Sequence, residues 1–145
     1  MLDWEDVKNR WHALEVERMY ELGVKVGIRS LYGTENQQEY DAVVAFFALL
    51  MLPRARIPEV LRSIHRALVP GGWFCLSMVE ADIDDEPIPF LGNLVHVSGY
   101  LRDELRAVVE DAGFSVEHQN AFSYAPASSQ AYPEVQLFLT CRRID

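Results

Sequence analysis

The stretch Ala42–Leu52 (AVVAFFALLML) runs through eleven consecutive apolar residues directly after Asp41. It shows neither the alternation of a half-solvated strand nor the three-and-four spacing of an amphipathic helix. A strand buried on both faces reads this way, and such strands belong to parallel sheets covered by helices. The second half of the run can equally begin a helix, and periodicity leaves that open. As a helix the run is too short to cross a bilayer, which takes about 20 residues.

The neighbouring segments fix the kind of sheet. Ile57, Val60, Leu61, Ile64 and Leu68 form one helical face, with Pro58 tolerated in the first turn. Pro70-Gly71-Gly72 ends that helix and turns the chain, and Trp73–Val79 (WFCLSMV) reads as a second buried strand. Strand, helix and strand at these lengths make a βαβ unit. An acidic, proline-containing loop is expected over Glu80–Gly99. A third helix follows from about Leu101 to Ala112, with Leu105, Val108 and Val109 inward and Asp103 and Glu104 in its first turn. Phe114–Phe122 and Val135–Arg142 read as an antiparallel strand pair closing the sheet. Upstream, Trp4–Leu22 has helical spacing (Trp4, Val7, Trp11, Leu14, Met19, Leu22), and Val24–Leu31 alternates like a strand before a polar loop, Gly33–Glu39.

At 145 residues the chain has the length of one domain, residues 1–145. A net charge of −9 and a sequence pI near 4.8 argue against nucleic-acid binding and against an anionic membrane surface. Two cysteines, Cys75 and Cys141, cannot build a disulfide framework, and the acidic amino terminus (MLDWEDVKNRW) has no signal-peptide pattern. A cytoplasmic protein is expected. The two thiols fall on strands expected to be neighbours and are read as small buried hydrophobes.

Three short motifs carry a family resemblance. Tyr40-Asp41-Ala42-Val43-Val44, Leu68-Val69-Pro70-Gly71-Gly72 and Ala112-Gly113-Phe114 stand in order with matching elements between them. They resemble the fourth strand, the turn into the fifth strand and the entry to the sixth strand of class I S-adenosylmethionine (SAM) dependent methyltransferases. The resemblance covers the carboxy-terminal half of that family, Val24 to Arg142 here. It implies an α/β fold: a truncated Rossmann-like sheet, mostly parallel with an antiparallel carboxy-terminal strand pair and helices on the faces. The family's strand order is three-two-one-four-five-seven-six.

The resemblance also implies SAM as cofactor, with Ala45, Phe46 and Phe47 beside its sulfonium and adenosine, and Ser30 and Leu31 as adenine contacts. Ser30 stands where the family often has an aspartate, and Leu50-Met51 where many members have a polar pair. The glycine-rich turn that receives the cofactor and the carboxylate that holds its ribose have no counterpart in the sequence, nor have the first two strands. The fourth strand would then be an apolar edge needing cover, since each such side chain left in water forgoes roughly 1.5–3 kcal/mol. Strand Val24–Leu31, a second copy of the chain, or a partner chain supplying the missing half-domain could provide that cover. A homodimer is the favoured expectation.

Glu80, Asp82, Asp84, Asp85 and Glu86 cluster past the fifth strand without regular ligand spacing, so a solvated loop rather than a metal site is expected. Glu80 is a candidate base near substrate. His96, in the apolar stretch LVHVS, is the histidine best placed for proton transfer near neutral pH. Tyr100 and Tyr124 are expected to line the substrate pocket. Three functions fit: a SAM-dependent methyltransferase for a small apolar or aromatic molecule, a repurposed enzyme of that fold (cyclisation or rearrangement) not using SAM, or a non-catalytic interaction subunit.

Overall fold

The structure is a computed structural model that describes residues 38, 40–125, 127 and 132–145. The helix expected over Trp4–Leu22, the strand Val24–Leu31, and Ser30 and Leu31 lie outside the described residues. Strand β1 spans Tyr40–Phe46 and leads through a 3-10 turn, Leu49–Met51, to helix α1, Ile57–Ala67. Strand β2 (Leu68–Val79) follows, then β3 (Ile83–Phe90), β4 (Asn93–Gly99), helix α2 (Arg102–Asp111), β5 (Phe114–Tyr124) and β6 (Glu134–Arg143). The main sheet has the order β1-β2-β6-β5, with β1 parallel to β2 and β6 antiparallel to both its neighbours. This matches strands four, five, seven and six of the methyltransferase sheet. Among the described residues nothing pairs with the outer edge of β1.

The apolar run is divided at Phe47. That residue takes a φ of +49°, and its N–H donates to both Ser77 O (3.1 Å) and Ser77 Oγ (2.8 Å), which ends the strand and starts the turn. Helix α1 stops at Ala67 and β2 begins at once. Pro70-Gly71-Gly72 therefore forms a bulge inside β2, where pairing jumps from Tyr40↔Leu68 to Ala42↔Trp73. Gly72 is required there: a Cβ would sit 2.8 Å from Val69 O and 3.2 Å from Asp41 O.

The pleat of β2 and β6 separates two surfaces. Phe74, Leu76 and Met78 lie opposite Cys141, Leu139 and Leu137, and all six are fully buried. Ile57, Leu61 and Ile64 of α1 and Leu105 and Val109 of α2 enter the same core cluster. Both helices pack on one face for a reason of handedness. The crossovers β1–α1–β2 and β2–α2–β5 advance in the same direction across the sheet, and right-handed connections place both helices on the same side. The opposite face carries Trp73, Cys75, Phe138 and Phe122, half-buried or exposed, and Ser77, fully buried opposite Phe138. Cys75 opposes Thr140 and Cys141 opposes Phe74, so the two thiols sit on adjacent strands but opposite faces, and both are free.

Glu80–Gly99, expected as a loop, folds as a separate β3–β4 hairpin. Leu91 and Gly92 at its tip have φ values of +49° and +80°, the two-residue turn that matches strand twist. Pro87 and Pro89 oppose His96 and Leu94 and leave the outer side of β3 short of N–H donors. No described helix is long and apolar enough to cross a membrane.

Candidate active site

Because β1, β2 and β5 run parallel, their carboxyl ends meet at one rim, together with the start of the reversed strand β6. Open α/β sheets bind ligands at such a rim. Here it brings together the ends of β1 (Ala45, Phe46, Phe47), of β2 (Val79, then Glu80) and of β5 (Tyr124) with Glu134 of β6. A shallow, open cavity of about 450 Å³ lies between the last two strands, lined among the described residues by Glu80, Ser123, Tyr124, Ala125, Pro133, Glu134 and Val135.

Glu80 is fixed from several directions. Its N–H donates to Val135 O (2.8 Å), and its carboxylate accepts from Arg102 three times: backbone N–H (3.0 Å), Nε (2.7 Å) and Nη2 (2.8 Å). Arg102 is the first residue of α2, so the carboxylate also faces the positive end of that helix. The Arg102 side-chain hydrogen bonds hold the Glu80 carboxyl below the usual carboxylate range. It is a proton acceptor only if it leaves that grip.

Arg54 organises the base of the hairpin. Its Nε donates to Gly99 O (2.8 Å), its Nη2 to Gly99 O and to Asp82 Oδ1 (2.8 Å), and its backbone N–H to Asp84 Oδ1 (2.9 Å). The guanidinium lies 4.6 Å from the centroid of the Tyr100 ring. Two of the clustered carboxylates thus belong to a clamp, and among the described residues no group of three or more acidic, histidine or cysteine side chains is arranged for a metal.

The expected site residues separate into groups. Glu80 and Tyr124 share the rim cavity. Tyr100 is buried beneath Arg54, and burial pushes its phenol up. His96 is exposed on β4, with Nδ1 3.1 Å from Asp85 O and 3.8 Å from Asp85 Oδ1. Ala45 is buried, whereas the Phe46 side chain is exposed. Phe47 begins a row of edge-on aromatic contacts, Phe47–Phe138 and Phe138–Phe122, each with ring centroids 5.7 Å apart.

Sequence reasoning missed Arg54, Ser77, Arg102 and Glu134. Each acts through a partner distant in the chain (Ser77 on Phe47, Arg54 on Gly99) or, for Glu134, through its place on the rim. The local pattern shows none of this.

A family model described as a methyltransferase domain matches residues 6–119. The chain belongs to the methyltransferase-domain family. No curated protein sequence matches it. Among solved structures it is similar to a SAM-dependent methyltransferase from Methanosarcina mazei (TM-score 0.64, 10% identity, covering 81% of this chain and 66% of that one). It is also similar to a Burkholderia thailandensis 1,6-didemethyltoxoflavin-N1-methyltransferase solved with 1,6-didemethyltoxoflavin and S-adenosylhomocysteine (TM-score 0.59, 19% identity, covering 81% and 49%). The [4+2]-cyclase SpnF is a third relative in fold (TM-score 0.58, 17% identity, covering 91% and 62%). The chain spans half to two thirds of the length of these structures.

Set against SAM, the described residues fit only in part. The cofactor has charged amino-acid groups at one end and a ribose diol in its middle, and both need polar partners. Residues 45–52 carry no charged group, and Ser77 Oγ at the end of β1 is already engaged by the Phe47 N–H. The end of β1 offers an apolar wall and no polar anchor.

Proposed function

We infer that this domain works in methyl transfer from SAM to a small apolar or aromatic molecule, with the rim cavity taking the acceptor. Its family supports the reaction class. The observation that carries the acceptor site is the open cavity at the carboxyl ends of β2 and β5, where Tyr124 and Pro133 supply apolar surface. Methyl transfer is an in-line displacement that depends on positioning more than on a dedicated base. That suits Glu80, whose carboxylate anchors α2, and leaves His96 as the residue proposed for any proton movement on the hairpin side.

The cofactor side needs polar groups from outside the described residues. Ser30 and Leu31 are the proposed adenine contacts. A second copy of the chain, or a partner chain supplying the rest of a half-domain, would cover the open edge of β1 and complete the site; two-fold homodimers are the commonest such assembly. A second reading is an enzyme that shapes its substrate in this cavity without using SAM. It is favoured by the lack of polar anchors along residues 45–52 and by the likeness in fold to a cyclase. Acting solely as an interaction subunit is the third.

Calorimetric titration with S-adenosylhomocysteine separates these readings. Micromolar binding is expected for the methyltransferase, and sedimentation under the same conditions reports the assembly that binds. No heat at millimolar ligand would reject a methyltransferase site in the protein as purified.

A further inference from the structure

The rim cavity is lopsided in charge. Two acidic residues line it, Glu80 and Glu134. Glu80 is neutralised by Arg102, whose Nε, Nη2 and backbone N–H all turn to it. Among the described residues Glu134 has no such partner. Its Oε1 accepts from Gln136 Nε2 at 2.8 Å, a neutral donor, and no cation pairs with it among the described residues. Among the described residues the remaining lining is Ser123, Tyr124, Ala125, Pro133 and Val135. None of these carries a positive charge.

An uncompensated carboxylate on the wall of a cleft concentrates negative potential there. It repels acceptors bearing a carboxylate or phosphate and favours a cation by a charge-assisted hydrogen bond. The Tyr124 ring, directly across the β5–β6 ladder from Glu134, suits an apolar body. We propose that the cavity recognises a small apolar or aromatic molecule carrying a protonated amine, with Glu134 as the group that holds the amine and Tyr124 packing on the body. This rests on reading the cavity as the acceptor site and adds the class of acceptor. The amine is the handle for binding, and it sets orientation; the methylated atom is a separate matter.

Three probes share one body and differ in charge: 2-naphthylmethylamine, 2-naphthalenemethanol and 2-naphthoate. Each is titrated into the intact protein while the amide resonances of Tyr124, Glu134 and Val135 are followed. The amine should shift these resonances and bind about tenfold more tightly than the carboxylate, the size expected of one hydrogen bond to a charged group. Glu134→Gln should remove most of that preference and leave the binding of the alcohol unchanged. Raising ionic strength from about 0.01 M to about 1 M should weaken only the amine, which gives a readout on the unmodified chain if the variant fails to fold. Equal or tighter binding of the carboxylate, or a preference that survives both Glu134→Gln and high salt, would overturn the proposal. Amine selectivity without S-adenosylhomocysteine binding would uphold it and reject the methyl-transfer reading; the converse would do the reverse.

Discussion

Replacing Gly99 by alanine tests how the hairpin is seated on the rim. Gly99 lies at the end of β4, where a Cβ would come 2.7 Å from Ala81 O, 2.9 Å from Val79 O and 3.3 Å from Ala81 N. All three are backbone atoms, so no side chain can swing aside, and one strand must move from the other. Alanine has no backbone penalty of its own to add, because the positive-φ glycines are Gly71, Gly92 and Gly113. The cost is therefore one of overpacking, about 1–3 kcal/mol. For a chain of this size that corresponds to a fall in melting temperature of roughly 3–9 °C. The displacement also moves Gly99 O, which accepts from Arg54. Gly99→Ala and Arg54→Met should then be non-additive, the double variant losing less than the sum because the first change has already loosened the clamp. Urea denaturation of the four proteins gives the coupling directly. A Gly99→Ala variant within about 0.5 kcal/mol of the parent, or strictly additive losses, would refute the close approach of Val79–Ala81 to Gly99.

Two further outcomes follow from titrating groups. The Glu80 carboxyl is held low by Arg102, so its stabilising effect is fully present above the unfolded carboxylate range, near pH 4.3, and fades as pH falls through its lower folded value. The stability gap between the parent and Glu80→Gln should thus be widest at neutral pH and close in acid; urea midpoints measured against pH would show a flat gap if the pairing were absent. Burial pushes the Cys141 thiol up to about 12 and raises Cys75 as well. In the native protein at pH 8 iodoacetamide should modify Cys75 slowly and Cys141 only on unfolding, as peptide mass spectrometry would reveal. Equal rates at the two sites would contradict the burial of Cys141.

Much of the sheet is legible in the sequence because buried strands and an amphipathic helix leave local marks. Phe74, Leu76 and Met78 alternate, and Ile57, Val60, Leu61 and Ile64 repeat at helical spacing, so α1 emerges to within a residue and β2 from Trp73 onward, without its first five residues. Pro70-Gly71-Gly72 was harder: the same residues suit a turn or a bulge, and only pairing with β1 decides. The hairpin was hidden by its acids and prolines, which count against strands in general. Yet Pro87 and Pro89 are tolerated where no partner needs their N–H, and the Leu91-Gly92 turn lies between. At the rim, the position of Glu80 is legible because the residue directly follows a buried strand. The partners of Arg54 and Arg102 are not, since a guanidinium reaching across 45 or 22 residues leaves no periodic trace.

The position of β6 between β2 and β5 has a consequence for how the chain assembles. Along the sequence β6 is the latest of the described strands, yet in the sheet it is interior, and β2 and β5 have no ladder with each other. During synthesis, β1, α1 and β2 can join as soon as they emerge. Strand β5 finds its ladder partner only when residues 134–143 follow it and pair as a hairpin. The long-range step is then the docking of β6 against β2, the ladder that joins the two halves of the sheet. Until it happens, the apolar edge of β2 stays open to any other extended chain nearby.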